Sequence, residues 1–334
     1  MIRALVTGAT GFIGRHLVRH LVRRGYQVTA FVRPTSRRGG LTGVRFAEGD
    51  LVTGEGLRAA LRDVDCVFHL AGVIKARTPA DYYRGNRLAT RTLACALAAV
   101  QDPPRLVHCS SLSAAGPATP DRPRTEDQPC TPVSHYGHSK LRAEREVTAV
   151  SHLVPVTIVR PPIVYGPGDR EFLGTLAPMA RLGVMPKSGR GSKSYSLIHV
   201  DDLCVALITA ATGPCSVYYV SDGVEHRWED ICTAFATALG VARPVVVPVP
   251  GAALQLAATA AELLGRVTGT VPILNRDKAR EARYAAWTCS ADRIERVLGF
   301  RAAIPLDVGL AHAAARMSGQ GMQPGVRTGN WRSG

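Results

Sequence analysis

The sequence predicts an α/β protein, in which a doubly wound parallel sheet is followed by a smaller, mostly helical C-terminal lobe. Three observations support this fold class. Residues 1–160 alternate short β-rich runs with amphipathic helices, a glycine-rich loop directly follows the first run, and the alternation breaks up after Tyr165. Repeated strand–helix–strand units favour parallel strands with helices on both faces of the sheet.

The individual elements follow from hydrophobic periodicity and from glycine and proline breaks. Strands are expected at residues 2–6, 27–32, 44–47, 65–70, 105–110 and 155–160. Helices are expected at residues 12–24, 54–61, 81–100 and 136–151. A late strand over 216–220 is expected to return to the sheet, and further helices are expected at 228–239 and 290–298.

These elements suggest a division of the chain into two domains. Residues 1–165 are expected to form the sheet domain, with 195–222 returning to it, and residues 166–194 and 223–316 are expected to form the second lobe. The Gly-rich segment 317–334 has no periodicity and is expected to be a flexible tail.

Composition limits the class of protein. A chain of 334 residues with 46% hydrophobic and 20% charged residues has enough apolar side chains for a large core. The net charge is +15. It comes mostly from arginines spread along the chain without a long basic run, so we expect general surface charge or attraction to an anionic small molecule rather than nucleic-acid binding.

Targeting and metal-binding patterns are weak. The eight cysteines form no Cys-x-x-Cys pair, which favours free thiols in a reducing cytoplasm over a zinc site. The N-terminus enters a strand at once, and no run of about 18 apolar residues predicts a membrane span. The Ala/Leu-rich segment 251–265 predicts a packed helix, with a membrane-surface helix as the alternative. Location in the cytoplasm is therefore expected.

The glycine-rich loop between the first strand and the first helix predicts a dinucleotide site. Gly8, Gly11 and Gly14 have the spacing G-x-x-G-x-x-G. Glycine lets the backbone approach a pyrophosphate closely, and the helix N-terminus offers N–H groups and the positive end of its dipole. Thr10, Phe12 and Ile13 of the same loop are expected to contact the cofactor.

The end of the second strand predicts which dinucleotide binds. Arg33 lies where an acidic residue would bind the ribose 2′-hydroxyl of NAD, and arginine instead suits a 2′-phosphate. With Arg37 and Arg38 close by, the sequence favours NADP(H) over NAD(H), although these arginines could also be solvated loop residues. Asp50 and Leu51 follow the third strand, where the carboxylate could approach the adenine amine or serve only in a turn.

A serine, a tyrosine and a lysine form the candidate catalytic group. Tyr136 and Lys140 are four residues apart and share one face of a predicted helix. A neighbouring ammonium favours the phenolate, so we expect Lys140 to lower the pKa of Tyr136 and make it a proton donor and acceptor near neutrality. Ser111 follows the fifth strand at the carboxyl edge of the sheet and could orient a carbonyl or alcohol beside Tyr136.

Together these motifs resemble the extended short-chain dehydrogenase/reductase family, also called the NAD-dependent epimerase/dehydratase family. The resemblance spans roughly residues 1 to 315 and rests on a set of motifs: residues 7–14, 69–72, Asn86, 110–111, 136–140, 160–168 and 199–202. It implies a Ser–Tyr–Lys mechanism with hydride transfer at nicotinamide C4, and the following Gly116 assigns the serine to Ser111 rather than Ser110.

The resemblance also implies roles for several other residues. Leu70, Ala71, Gly72, Pro161 and Ile163 are expected near the cofactor, and Tyr165 is expected to line the nicotinamide pocket. Asn86 is expected to support a water or Lys140, or else only the local backbone. His199, Asp201 and Asp202 are expected to cap a helix and brace the lobes rather than bind a metal. Family members often form homodimers, which here would use the 81–100 and 136–151 helices.

Three positions favour one branch of the family. Many sugar-nucleotide members have an asparagine where this chain has Ile163, and an arginine where it has Tyr195, although Arg190 and Lys193 lie nearby. Together with Arg33, this favours an NADP(H)-dependent reductase or dehydrogenase acting on an apolar carbonyl or alcohol. A nucleotide-sugar epimerase or dehydratase with bound NAD is the first alternative, and a non-catalytic NADP-binding structural protein is the second.

One basic cluster in the C-terminal lobe has two interpretations. Arg276, Lys278, Arg280 and Arg283 could hold an anionic group of a substrate. Solvated helix faces are the simpler interpretation.

Overall fold

The computed structural model describes residues 1–272 and 274–318. Its centre is a seven-stranded sheet whose neighbouring strands all run parallel. The strands of this sheet are β1 (Arg3–Thr7), β2 (Gln27–Val32), β3 (Val44–Glu48), β4 (Cys66–His69), β5 (Arg105–Cys109), β6 (Val156–Arg160) and β11 (Val217–Tyr219). Their spatial order is β3-β2-β1-β4-β5-β6-β11. The predicted fold class is confirmed, including the late strand that returns beside β6.

The strand order fixes where a ligand can bind. The chain runs from β1 through β2 to β3 on one side, and then through β4, β5 and β6 on the other. The order therefore reverses between β1 and β4. In open α/β sheets, ligands bind at the carboxyl ends of the strands beside such a switch point.

Thirteen α-helices lie within the described residues. Their bounds are α1 (Phe12–Arg23), α2 (Leu57–Ala60), α3 (Pro79–Tyr82), α4 (Ala89–Ala98), α5 (Leu112–Ala115), α6 (His135–Ala149), α7 (Leu173–Arg181), α8 (Val200–Ala210), α9 (Trp228–Ala238), α10 (Gly251–Thr268), α11 (Arg276–Glu281), α12 (Asp292–Leu298) and α13 (Leu306–Met317).

The sheet buries an apolar layer on each face. Side chains of α1 and α8 pack on one face with Ala4 and Val6, and side chains of α4 and α6 pack on the other with Leu5. Successive residues of a strand point to opposite faces, so β1 contributes to both layers. Because both faces of the sheet are buried, the strand sequences are nearly continuous runs of apolar residues.

The single helix predicted over residues 81–100 is divided into three segments. A π-helical segment, Tyr83–Leu88, separates α3 from α4. Gly85 lies in this segment, and a Cβ there would approach a methyl carbon of Val73 to 2.3 Å. The wider turn thus packs closely against the loop after β4. Such π-segments occur frequently at functional sites, and hydrophobic periodicity alone does not reveal them.

The C-terminal lobe packs around a third apolar cluster. Side chains of α7, α9 and α13 surround Tyr165, which is fully buried. Three short sheets complete the lobe, and none of their pairings was predicted. They are β7 (Ile163–Tyr165) with β10 (Leu197–His199), β8 (Val184–Ser188) with β13 (Val245–Val249), and β9 (Ser194–Tyr195) between β12 (His226–Arg227) and β14 (Ala286–Trp287).

The Ala/Leu-rich segment forms α10, the predicted helix. Ala258 is fully buried, whereas Leu256, Leu263, Leu264 and Val267 are exposed. Among the described residues, no helix is long and apolar enough to cross a membrane. The greater part of the tail expected to be flexible, residues 319–334, lies outside the described residues.

Candidate active site

Ser111, Tyr136 and Lys140 meet at the carboxyl end of β5. The Ser111 hydroxyl caps α5 by accepting a hydrogen bond from the Ser113 N–H over 3.1 Å, and it also interacts with the Tyr136 phenol. Lys140 is buried one turn along α6, where its ammonium donates to the Cys109 carbonyl over 2.8 Å. The structure thus brings together the three side chains that the sequence singled out.

The electrostatic environment of Tyr136 differs from the expectation. Burial raises the pKa of Tyr136 to about 12, and the main effects that lower it are the charge of Lys278 and the hydrogen bond with Ser111. The prediction named Lys140 as the group that lowers this pKa. In the structure, burial outweighs the nearby charges, and the Lys140 ammonium is bonded to a backbone carbonyl.

The neighbouring Ser110 has a structural partner. Its hydroxyl donates to Glu144, and Glu144 also receives Arg160 Nε over 2.9 Å and Arg160 Nη2 over 2.6 Å. Arg160 Nη1 donates further to the Tyr219 hydroxyl over 3.2 Å. This buried bidentate pair links α6 to β6 behind the site, so Ser110 is occupied while Ser111 faces Tyr136.

Asn86 clamps the loop after β4. Its amide accepts a hydrogen bond from the Val73 N–H over 2.6 Å and donates to the Val73 carbonyl over 2.9 Å and to the Ser139 hydroxyl over 2.8 Å. Of the two expected roles, the described contacts match support of the local backbone. The Ser139 contact also ties this loop to the helix that carries Tyr136 and Lys140.

A second element reaches the site from the C-terminal lobe. Helix α11 lies at the N-terminus of α6, where the Asp277 carboxylate accepts hydrogen bonds from the N–H groups of His135 and Tyr136. Of the basic cluster in this lobe, Arg276 pairs with Glu262, whereas the Lys278 ammonium lies 5.6 Å from the centroid of the Tyr136 ring. The sequence alone indicates only that Lys278 belongs to a basic cluster, not that it lies beside Tyr136.

The glycine loop has the geometry that a dinucleotide needs. Gly8 has φ +70°, and a Cβ there would lie 2.6 Å from the Ala71 nitrogen, so the loop packs directly on the 70–72 segment. A Cβ on Gly14 would lie 2.1 Å from the Gly8 carbonyl oxygen. Gly11 is the N-cap residue of helix α1 and offers no side-chain cap, and the first turn, which includes Phe12 and Ile13, has no acidic residue. Its free N–H groups and positive end fit a pyrophosphate.

The three arginines near β2 have different environments. Arg33 is exposed directly after β2. Arg38 pairs with Glu48 and lies 5.3 Å from the Phe46 ring centroid, and the Arg37 carbonyl accepts a hydrogen bond from Arg15 over 3.2 Å. Arg38 already has a carboxylate partner, whereas the side chains of Arg33 and Arg37 are exposed.

Several other residues that were expected near the cofactor make contacts within the protein. Asp50 accepts the Val52 N–H over 2.6 Å, which is a turn contact, and Leu51 is half-buried beside it. The Pro161 carbonyl accepts the Leu112 N–H over 2.8 Å. Ile163 packs against the third apolar cluster rather than projecting freely.

The position of the Tyr165 side chain contradicts one expectation. It was expected to line the nicotinamide pocket, but its side chain is fully buried in the third apolar cluster. Its ring packs edge-on against His199, with 5.4 Å between the ring centroids.

His199 and Asp201 join α8 to its surroundings. The His199 ring accepts the Asp201 N–H over 3.2 Å at the start of α8. Asp201 in turn bonds with His16 and His20 of α1, both over 2.9 Å, and Asp202 accepts the Ile304 N–H over 2.9 Å. No group of His, Cys, Asp or Glu within the described residues has the arrangement of a metal site.

A parallel sheet with an uncapped glycine loop at its switch point and a Ser–Tyr–Lys group nearby defines a nicotinamide-dinucleotide-dependent class of enzyme. The model of the NAD dependent epimerase/dehydratase family matches residues 4–218, and the chain belongs to this family. It is an NAD(P)-dependent enzyme of the extended short-chain dehydrogenase/reductase type.

The curated relatives include reductases that cover most of the chain. A ceramide reductase from Caulobacter vibrioides is 32% identical over 291 residues, 86% of this chain and 86% of the relative. A 4-hydroxy-2-methyl-3-oxo-4-farnesyl-3,4-dihydroquinoline-1-oxide ketoreductase from Stigmatella aurantiaca is 30% identical, covering 97% of this chain and 99% of that protein.

Solved structures from the sugar-nucleotide branch are similar as well. MoeE5, solved in complex with UDP-glucuronic acid and NAD, has a TM-score of 0.74 at 28% identity, with coverage of 95% of this chain and 99% of that chain. The Thermus thermophilus UDP-glucose 4-epimerase complex with NAD has a TM-score of 0.78 at 23% identity and the same coverage, which shows a shared fold.

Proposed function

We propose that this chain is an NADP(H)-dependent reductase or dehydrogenase that interconverts a carbonyl and an alcohol on a small apolar substrate, using Ser111, Tyr136 and Lys140. One observation carries the proposal. The three side chains gather at the carboxyl end of β5, while Ser110 is bound to Glu144 and is not available for the same role.

The residues divide the chemistry between them. When bound, the nicotinamide supplies a hydride to the carbonyl carbon. Tyr136 donates its phenolic proton to the carbonyl oxygen, and the Ser111 hydroxyl holds that oxygen beside the phenol. The Lys140 ammonium, buried at the same edge, is the candidate to hold the ribose hydroxyls. The reverse direction uses the same groups, with Tyr136 accepting the proton of the alcohol.

The lobe favours a reductase over a sugar-nucleotide enzyme. Lys193, one cation that could have replaced the missing diphosphate arginine, donates to the carbonyls of Ala282, Arg283 and Tyr284 after α11. Tyr195 packs against Trp228, with 5.5 Å between the ring centroids. Of the two cations noted near Tyr195, Arg190 is exposed, whereas Lys193 is held by these backbone carbonyls.

The relatives support the same branch. The two reductases named above act, by their names, on a ceramide and on a farnesyl-bearing quinoline oxide, both of which carry long apolar groups. We infer an apolar substrate for this chain too, bound between the sheet and a lobe made of residues 166–194 and 223–316. A UDP-sugar epimerase with bound NAD is the second candidate, because MoeE5 is 28% identical.

The proposal about catalysis is tested with Tyr136→Phe. NADPH oxidation is followed with a panel of apolar ketones that includes 3-oxo fatty esters and 3-ketosteroids. The variant is expected to lose at least about 100-fold in turnover, since it lacks the proton donor, while NADPH binding stays near that of the wild type. Turnover equal to the wild type would remove Tyr136 from the mechanism.

Thermal stabilisation by NADPH, NADH and UDP tests both the cofactor preference and the choice between a reductase and a sugar-nucleotide enzyme. The wild type is expected to prefer NADPH, and Arg33→Ala is expected to lose about 10- to 100-fold in NADPH affinity through one charged hydrogen bond. Arg45→Ala, an exposed arginine on β3, is the matched control. Strong stabilisation by UDP together with tightly retained NAD would establish the sugar-nucleotide alternative instead.

A further inference from the structure

Helix α11 is fixed to the start of the helix that carries Tyr136 and Lys140. The Asp277 carboxylate accepts the His135 N–H over 2.8 Å and the Tyr136 N–H over 2.9 Å. The Ser134 hydroxyl donates a hydrogen bond to Glu281 over 2.7 Å and accepts one from the Gly137 N–H over 2.9 Å. A helix N-terminus leaves these backbone donors unpaired and carries positive partial charge, so two carboxylates bind there favourably.

This contact determines where Lys278 lies. Asn275 caps α11 by accepting the Lys278 N–H over 2.8 Å, so the backbone at Lys278 is held next to Asp277. The Lys278 ammonium lies 5.6 Å from the Tyr136 ring centroid and 3.2 Å from a Glu281 oxygen. Its side chain is 46% exposed, so it lies at the solvent-facing edge of the site.

The other cations of this helix have different partners. Arg276 pairs with Glu262 at 3.4 Å, and Arg280 lies 3.9 Å from Asp277. Lys140 shares the face of α6 with Tyr136, but its ammonium donates to the Cys109 carbonyl. Glu281 raises the pKa of Lys278, so Lys278 remains protonated beside the phenol.

The surroundings of Tyr136 explain why a second cation matters. Burial raises the pKa of Tyr136 to about 12, and Lys278 is the charge that most strongly opposes this effect. Groups on three elements face the phenol: Cys109 and Ser111 at the end of β5, Tyr82 on α3, and Lys278 with Glu281 on α11.

We propose that Lys278 is a positioning residue for proton transfer at Tyr136, and that its ammonium, held in place by the contact of Asp277 with α6, stabilises the phenolate. The inference rests on the proposed role of Tyr136 as proton donor. During reduction, the phenolic O–H bond breaks and the new O–H bond forms on the substrate oxygen, while the hydride comes from the cofactor. The negative charge left on Tyr136 lies beside Lys278, which keeps its own proton.

The direct test is a titration of the phenol at position 136. Tyr136→3-nitrotyrosine places a phenol there that ionises near neutrality and absorbs visible light, and it is titrated in the full-length protein with and without NADP⁺. In this background, Lys278→Met is expected to weaken proton dissociation about tenfold, after allowance for screening by solvent and by Glu281. Lys278→Arg is expected to restore most of the change.

Two controls separate this effect from a loss of structure. Arg283→Met removes another exposed cation from the same lobe and is expected to leave the titration unchanged. Thermal unfolding of each variant checks that α11 is still in place. If Lys278→Met folds normally and titrates like the wild type, the inference is overturned.

Steady-state kinetics distinguish a failure of the inference about Lys278 from a failure of the proposed function. With a ketone that the enzyme turns over, Lys278→Met is expected to shift the pH dependence of kcat to higher pH while KM for NADPH stays unchanged. An active Tyr136→Phe would refute the proposed function itself. An inactive Tyr136→Phe combined with an unshifted profile in Lys278→Met would refute only the role of Lys278.

Discussion

The site is supported from two sides that differ in construction. On the sheet side, Ser111 follows β5, and Tyr136 and Lys140 lie on α6. Behind them is the buried pair of Glu144 and Arg160, with side-chain exposures of 4% and 6%. On the lobe side, Asp277 and Lys278 come from a segment 142 residues beyond His135 and lie at a partly exposed edge. Under the proposed mechanism, the sheet side thus supplies the reacting groups, whereas the lobe side supplies charge around them.

The largest effect is expected from a variant that breaks the buried pair of Glu144 and Arg160. Glu144→Gln leaves the Arg160 guanidinium buried without its counter-charge, so we expect a loss of about 3 to 5 kcal/mol in the free energy of unfolding, measured with urea. Glu146→Gln on the same helix is the matched control. Glu146 pairs with Arg87, whose side chain is 45% exposed, and breaking this pair is expected to cost less than about 1 kcal/mol. Equal losses would mean that burial of the Glu144 pair does not set the stability of the sheet side.

The two sides also differ in how well the sequence predicts them. Gly8, Gly11 and Gly14, and the spacing of Tyr136 and Lys140, are local patterns whose consequences stay within one loop or one helix, so the sequence predicts them directly. Asn86 lies in a π-helical segment, whose extra residue per turn leaves no mark on a hydrophobic pattern. The sequence identifies the residue but not its clamp on Val73.

The electrostatics of Tyr136 could not be predicted, because they depend on contacts distant in sequence. No local pattern indicates that Asp277 would cap α6 or that Lys278 would lie over the ring. The expectation for Tyr165 was wrong for a related reason. The tyrosine follows directly on Ile163 and Val164 in β7, and only the packing of α7, α9 and α13 shows that its ring is buried.

A second prediction concerns the pH dependence of the sheet side. His69 and His108 lie on β4 and β5, and burial lowers the pKa of His69 to about 3 and that of His108 well below its usual value. Below about pH 6.5, the unfolded chain binds protons that the folded protein does not, so stability falls as the pH falls. Each histidine is expected to cost about 2 kcal/mol between pH 7 and pH 5.

His108→Phe isolates one of these contributions. Neither ring nitrogen of His108 has a hydrogen-bond partner in the described structure, so an apolar ring of similar size fits its surroundings. The variant is expected to lose about 2 kcal/mol less than the wild type between pH 7 and pH 5, as measured by urea unfolding. An unchanged pH dependence would show that His108 binds a proton equally well in the folded and unfolded states.

The smallest expected change in stability is on the lobe side. Asp277→Asn removes the negative charge at the start of α6 but keeps an oxygen that can accept one hydrogen bond, so unfolding is expected to become easier by only about 0.5 to 1 kcal/mol. Turnover is nevertheless expected to fall about tenfold, because the docking of α11 places Lys278 beside the phenol. Asp81→Asn, in the capping box at the start of α3, is the control with a similar cost in stability.

Comparing the loss of stability with the loss of turnover shows what the lobe contributes to the reaction. If Asp277→Asn and Asp81→Asn lower stability equally but only Asp277→Asn slows turnover, the contact of α11 with α6 acts on the reaction through the placement of charge. If both variants leave turnover unchanged, Asp277 is an ordinary helix cap, and the sheet side alone sets the acidity of Tyr136. A large loss of stability in Asp277→Asn would show instead that the lobe is as firmly built into the fold as the pair of Glu144 and Arg160.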